Sequence, residues 1–106
     1  MEKGVFMYAA IRRYETNSPA ELTRLINESF VPRISEIKGF EAYYCIDAGE
    51  GMIASTSVFD SEEGAGLSNL MAEDWIAQNA AKLITGQFRT VAGNVIAHQV
   101  AAHQAA

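Results

Sequence analysis

The stretch from Ser61 to Ile84 reads as one long helix, and one face of it carries an unusual set of side chains. At about 100° per residue, Ala65, Ser68, Ala72, Trp75, Ile76, Asn79 and Leu83 share that face. The small residues leave room, the indole of Trp75 supplies a flat apolar wall, and Ser68 and Asn79 supply hydrogen bonds. Small-molecule pockets are built this way, mostly apolar with a few placed polar groups. The same pattern also serves packing alone: small residues let a helix approach a sheet, and Ser68 and Asn79 then bond to backbone. Tyr44, in an aromatic strand, adds a phenol. Arg12 adds a cation suited to a substrate anion, although Arg12-Arg13 also fits an exposed strand end with one of the two facing out. Trp75, Tyr44, Asn79, Ser68 and Arg12 are therefore the candidate pocket residues, and none of them is singled out as catalytic.

Other chemistries find less support. His98 and His103 are five residues apart, which on a strand places them on opposite faces. No HxxxH or CxxC pattern and no Asp/His cluster suits zinc or iron, so neither a metal nor a cofactor is expected. Cys45, the single cysteine, lacks an activating neighbour in sequence and reads as a buried structural thiol. It cannot form an internal disulfide, which fits a cytoplasmic location. Gly49-Glu50-Gly51 is not followed by a helix, so it reads as a hairpin turn and not as a phosphate loop. The net charge of −5, with no Lys/Arg cluster, argues against nucleic acid. No apolar run approaches the ~18 residues of a membrane span.

The elements that must position these residues follow from punctuation. With 106 residues the chain is one domain, residues 1–106, with 97–106 as a tail or strand extension. Val5 to Tyr14 reads as a strand. Ser18, Pro19 and Glu21 mark a helix start, and Leu22, Leu25, Ile26, Ser29 and Phe30 fall on one face. Pro32 predicts a break or kink near Phe30–Val31, with a short second piece to Ile37. Gly39 caps it, and Phe40 to Asp47 and Met52 to Phe59 form a hairpin. Asp60 and Glu63 form a capping box for the second helix, which stops at Gly86 and is weakened by Gly64 and Gly66 in its first turn. Phe88 to His98 is the last strand.

This order predicts an α+β, ferredoxin-like βαββαβ fold: a four-stranded antiparallel sheet with two helices on one face. Two helices cover one face only, yet the strands are apolar on both. Val5, Met7, Ala9 and Ile11 lie opposite Phe6, Tyr8 and Ala10. Phe40, Ala42, Tyr44 and Ile46 lie opposite Tyr43 and Cys45. No spare element remains to cover the second face. A second copy, sheet against sheet, is the expected partner, giving a homodimeric α/β barrel that buries on the order of 2,000 Å². Imperfect alternation with a few exposed apolar residues is the plainer alternative.

The chain resembles the antibiotic-biosynthesis-monooxygenase-like group of the dimeric α/β-barrel superfamily. The likeness rests on Phe30-Val31-Pro32 to Ile37-Lys38-Gly39-Phe40, on Ala42-Tyr43-Tyr44, and on Val58-Phe59-Asp60. It continues through Ser68-Asn69, Ala72 and Trp75 to Gly93-Asn94-Val95. The resemblance implies the fold and the homodimer, and a cofactor-independent monooxygenase-like activity on a small aromatic or enolisable substrate. A non-catalytic ligand-binding or structural dimer is the alternative. Heme-degrading members carry an asparagine on the first strand and a histidine on the second helix. This chain has neither, although Trp75 matches their tryptophan. Phenol-oxidising members use Trp, Tyr, Asn and Arg side chains, and Trp75, Tyr44, Asn79 and Arg12 are of those types.

Overall fold

The computed structural model describes residues 6–101, so Val5 and His103 lie outside the described residues. The element order is β1 (Tyr8–Glu15), α1 (Pro19–Leu25), a π-helical turn (Ile26–Phe30), α2 (Val31–Ile34), β2 (Phe40–Gly49), β3 (Met52–Phe59), α3 (Glu62–Asn79), a 3₁₀ turn (Ala81–Leu83) and β4 (Arg89–Asn94). The four strands form one antiparallel sheet in the order β2-β3-β1-β4. This is the expected βαββαβ fold, with the helical layer against one face.

The hairpin turns where the sequence suggested. Glu50 and Gly51 both take positive φ (56° and 81°), as a two-residue turn matching the twist of its strands requires. The Thr16 amide donates to the Gly51 carbonyl at 2.8 Å, which ties the hairpin end to the end of β1.

Three helix expectations are corrected. The α3 cap is Ser61, not Asp60: its extended backbone (φ −144°, ψ 152°) lets its hydroxyl accept from the Gly64 amide at 3.0 Å. Ser18 does not cap α1 with its side chain, although Pro19 opens the helix as expected. Helix α3 ends at Asn79 and not near Gly86, because the chain tightens into the 3₁₀ turn. The predicted cost of Gly64 also has a packing reason: a Cβ there would lie 2.7 Å from Phe59 Cδ2, so glycine lets α3 approach β3.

Pro32 does not end the first helical region, but the helix changes type where the break or kink was expected, at Phe30–Val31. The π-helical turn ends at Phe30, and Pro32 sits in the first turn of α2, where a missing N–H is tolerated. The π turn has a clear role in packing. Leu22, Ile26, Phe30 and Ile34 are all buried and are spaced by strict fours. In a pure α-helix each step of four overshoots a full turn by about 40°, so the row would wind away from the sheet. A turn closed by i→i+5 bonds holds more residues per turn and cancels part of that drift.

The two sheet faces separate cleanly. Toward the helices point Ala10, Arg12 and Tyr14 of β1 and Ile53, Ser55, Ser57 and Phe59 of β3, all buried. By strand register Tyr43 pairs with Ser57 and Cys45 with Ser55, so both share this face. A β-bulge between Phe40 and Ala42 moves Phe40 onto it as well, against Phe59 at 5.8 Å between ring centroids. Phe40 therefore does not share a face with Ala42 and Tyr44. The other face carries Ile11 on β1, Tyr44 and Ile46 on β2 and Val91 on β4, each exposed.

Candidate functional site

Arg12 is at the centre of the helix-covered face and is only 1% exposed. This overturns the exposed strand end. Its Nε donates to Ser55 Oγ at 3.0 Å, and Nη2 donates to Ser57 Oγ at 3.1 Å. Nη1 donates to Asn69 Oδ1 at 2.9 Å and to Ser68 Oγ at 3.4 Å. Ser68 spends its own proton on the Ala65 carbonyl at 2.7 Å, so in the 2.9 Å Ser57–Ser68 contact Ser57 is the donor.

These contacts occupy four of the five guanidinium N–H groups with neutral acceptors, and the Tyr43 hydroxyl lies beside the group as well. Among the described residues no carboxylate pairs with Arg12; the ion pairs join Arg24 to Glu21 and Glu28 on the surface. The rings of Phe30 and Tyr43 each lie 5.9 Å from the guanidinium carbon. Burial lowers the Arg12 pKa from its ordinary value, but an arginine holds its proton throughout the physiological range. The site thus contains a fixed positive charge in a poorly hydrated interior, stabilised by dipoles and ring faces alone.

Tyr43 sits beside this charge. Its hydroxyl is buried beside Ser55, Cys45 and Arg12, without a hydrogen bond of full geometry to any of them. Burial pushes its pKa, and that of Tyr14, well above the usual phenol range, so both remain protonated donors. Tyr43 also lines a cleft of about 400 Å³ between the first helical region and β2, together with Ile26, Val31, Cys45, Asp47 and Ile53. Cys45 is exposed, which corrects the expectation of a buried thiol; desolvation along this wall raises its pKa all the same. A separate space of about 10 Å³, room for a water at most, lies among Arg12, Phe30, Trp75, Ile76 and Ile26, so Ile26 borders both spaces.

The structure brings together Arg12, Ser68 and Trp75. Trp75 is buried, its ring 5.4 Å from Phe30, and its Nε1 donates to Ser29 Oγ at 2.9 Å. Asn79 is exposed and donates to the Trp75 carbonyl at 3.0 Å, within its own helix. Tyr44 is on the opposite face of the sheet, 68% exposed, and reaches the cleft only around the free edge of β2. Sequence reasoning missed Ser55, Ser57, Asn69 and Tyr43. The signal for the first two was present: serines two apart in a strand share a face, and Ile53 and Phe59 mark that face as the core.

Among the described residues no group of three His, Cys, Asp or Glu side chains could hold a metal ion, and no helix is long and apolar enough to cross a membrane.

No protein-family model matches this chain, and no curated protein sequence matches it. Solved structures do. A monooxygenase of Streptomyces coelicolor from the gene ActVA-Orf6, in complex with nanaomycin D, superposes with a TM-score of 0.69 at 16% identity, over 92% of this chain and 94% of that one. A cofactor-independent oxygenase of Streptomyces nogalater, SnoaB, gives 0.64 at 12% identity, over 92% and 99%. A dimeric ferredoxin-like protein from an uncultured marine organism gives 0.64 at 14% identity, over 92% and 94%. The chain is a ferredoxin-like α+β domain with the fold of the antibiotic biosynthesis monooxygenase-like proteins.

Proposed function

We propose that this protein is a cofactor-independent monooxygenase that oxidises a small aromatic or enolisable substrate as its anion. The observation that carries this reading is the buried, acid-free guanidinium of Arg12 behind a cleft, in a fold shared with solved oxygenases of that kind. A phenolate or enolate is electron-rich enough to reduce O₂ directly. If a CH₂ beside the anionic system becomes C=O, one oxygen atom is inserted and the other leaves as water with the two hydrogens. The substrate then supplies all four electrons, and no outside reductant is needed. The protein's part is to orient the anion, exclude water and stabilise its charge. Trp75 and Phe30 supply apolar walls, and Arg12 supplies the charge.

The working unit is a homodimer joined through the open sheet face, where Ile11, Tyr44, Ile46 and Val91 are exposed in the single chain. One of the solved neighbours is itself described as dimeric.

The test is oxygen consumption against a panel of phenols and enolisable ketones. Trp75→Phe keeps an aromatic ring but loses the bond to Ser29, and should lower the rate about tenfold, equivalent to ~1.4 kcal/mol of transition-state stabilisation. Asn79→Ala, outside the site, should leave it unchanged. Equal rates in wild type and Trp75→Phe would remove Trp75 from the site.

A second reading has its own support. Four of the five Arg12 donors are already satisfied inside the protein, as in a purely structural polar core. On that reading the dimer binds a small ligand, or simply assembles, without chemistry. Stabilisation by phenols with no oxygen uptake would select it.

A further inference from the structure

The cleft between the first helical region and β2 has an apolar floor and a polar rim. Ile26 and Ile53 are buried and form the floor, whereas Thr23, Asn27 and Asp47 are exposed and form the rim. Its volume of about 400 Å³ is in the range of small-molecule pockets, ~300–1,000 Å³. The rim is unbalanced in two respects. Among the described residues of the lining, Asp47 bears the only formal charge. Arg24, next to Thr23 in the chain, is already held by Glu21 and Glu28 at 2.6 and 2.9 Å. The hydrogen-bonding groups lean the same way. Asn27 Nδ2 donates to the Thr23 carbonyl at 3.0 Å, so the amide nitrogen is turned to its own helix and the acceptor Oδ1 away from it. Asp47 Oδ1 accepts from the Gly49 amide at 2.9 Å, which fixes the carboxylate, while Oδ2 takes no hydrogen bond among the described residues. A rim that offers acceptors and a negative charge fits a ligand end that donates.

We infer that Asp47 is a specificity residue of this cleft: it selects a ligand whose ring lies on Ile26 and Ile53 and whose outer end carries an amine, and it disfavours one that ends in a carboxylate. The inference rests on the cleft being the binding site, as in the proposed function, and it adds the substituent that the substrate bears away from its reacting ring. The placement of Asp47 follows from strand register. It pairs with Ile53, so its side chain leaves the sheet on the helix-covered side, in line with Cys45 and Tyr43. The carboxylate is exposed, so its attraction is that of a surface ion pair, up to roughly fivefold in affinity. Attraction of an amine and repulsion of a carboxylate act in the same direction, so the two tails should differ by about tenfold.

The probes are tryptamine, tryptophol and indole-3-acetate, which share one ring and carry a cationic, a neutral and an anionic tail at neutral pH. Each is titrated into the intact protein, and amide chemical shifts read the affinity. Tryptamine should bind tightest and indole-3-acetate weakest, about tenfold apart, and the span should shrink at 1 M salt, where the screening length is about 3 Å. Asp47→Asn keeps an oxygen for the Gly49 amide and removes the charge. It should bring the charged probes to within about twofold of each other and leave tryptophol little changed. Glu73→Gln, the same change of charge on the exposed side of α3, should leave the ranking as it is. Equal binding of tryptamine and indole-3-acetate, an Asp47→Asn variant that keeps the ranking, a Glu73→Gln variant that loses it, or no binding of any probe at millimolar concentration would each overturn the inference. Oxygen uptake separates the two claims. Asp47-dependent ranking with no oxygen uptake from any phenol or enolisable ketone keeps this inference and removes the oxygenase reading. Oxygen uptake indifferent to the charge of the tail does the reverse.

Discussion

The two faces of one sheet invert the usual arrangement. The face covered by helices holds a cation, two serines and a phenol with a buried hydroxyl, with Ser68 of α3 packed against them. The uncovered face shows Ile11, Tyr44, Ile46 and Val91 to solvent. Stability alone would favour the opposite distribution, since buried polar groups gain little and exposed apolar groups forgo about 25 cal/mol per Å². The difference teaches that the two faces answer to different demands. The inner face keeps a charge out of water at a cost of several kcal/mol, which makes sense where charge is needed. The outer face keeps apolar area unburied within one chain, which makes sense where a second copy arrives.

The sharpest way to break this comparison is at Arg12. Arg12→Ala removes the donor to Ser55, Ser57, Ser68 and Asn69 and opens a cavity, and should cost roughly 3–5 kcal/mol in denaturant unfolding. Arg12→Met fills much of the space without the charge and should cost far less, because it also removes an unpaired buried ion. If both variants were equally destabilised, the hydrogen bonds would outweigh the burden of the charge.

On the other face, Ile11→Lys with Val91→Lys should leave the monomer folded and raise the dimer dissociation constant at least a hundredfold, or ~2.7 kcal/mol. These two residues are cross-strand partners, and Arg13 and Arg89 pair at the neighbouring position on the same face, so four cations would meet at one interface. Analytical ultracentrifugation reads the result. An unchanged dimer would move the interface elsewhere.

The smallest effect is on pH. Tyr14 and Tyr43 titrate higher in the folded protein than their ordinary value of 10.0, mainly through burial. The unfolded chain therefore loses these protons first. Their contribution to stability is complete below pH ~10 and declines as pH rises beyond it. Tyr43→Phe should flatten part of that alkaline decline in thermal melts. An equal slope in wild type and variant would mean that Tyr43 does not contribute to it.

Much of this was legible in the sequence, for identifiable reasons. The hairpin strands β2 and β3 carry apolar runs bounded by glycines and a cap, and Pro19 and Gly86 punctuate the rest, so the order of elements could be read directly. The α3 face could be read too, because Ala65, Ser68, Ala72 and Trp75 recur at helical spacing and are all buried. The choice between Tyr43 and Tyr44 was not legible. Adjacent residues on a strand face opposite ways, and which way is inward depends on a pairing between β2 and β3 that the residues alone do not announce. The depth of Arg12 was hidden for a similar reason. Its acceptors come from β3 and α3, which are distant in sequence and meet only in the folded chain. The position of the α3 cap turned on a choice between neighbours: Asp60 and Ser61 are both good caps, and backbone geometry selected the second.

The π-helical turn between α1 and α2 has a consequence for how this protein tolerates insertions and deletions. Such a turn accommodates an extra residue without ending the helix, so one residue there is structurally redundant. Asn27 and Glu28 are exposed on it. Deleting Asn27 should let the turn relax to ordinary α-helix while Leu22 on one side and Phe30 and Ile34 on the other keep facing the sheet. Deleting a residue from the regular helix α3 would instead rotate everything beyond it by about 100° and scatter the site. A helix with a spare residue can change length by one and keep its faces, which marks this turn as the place where related chains can differ in length without losing the fold.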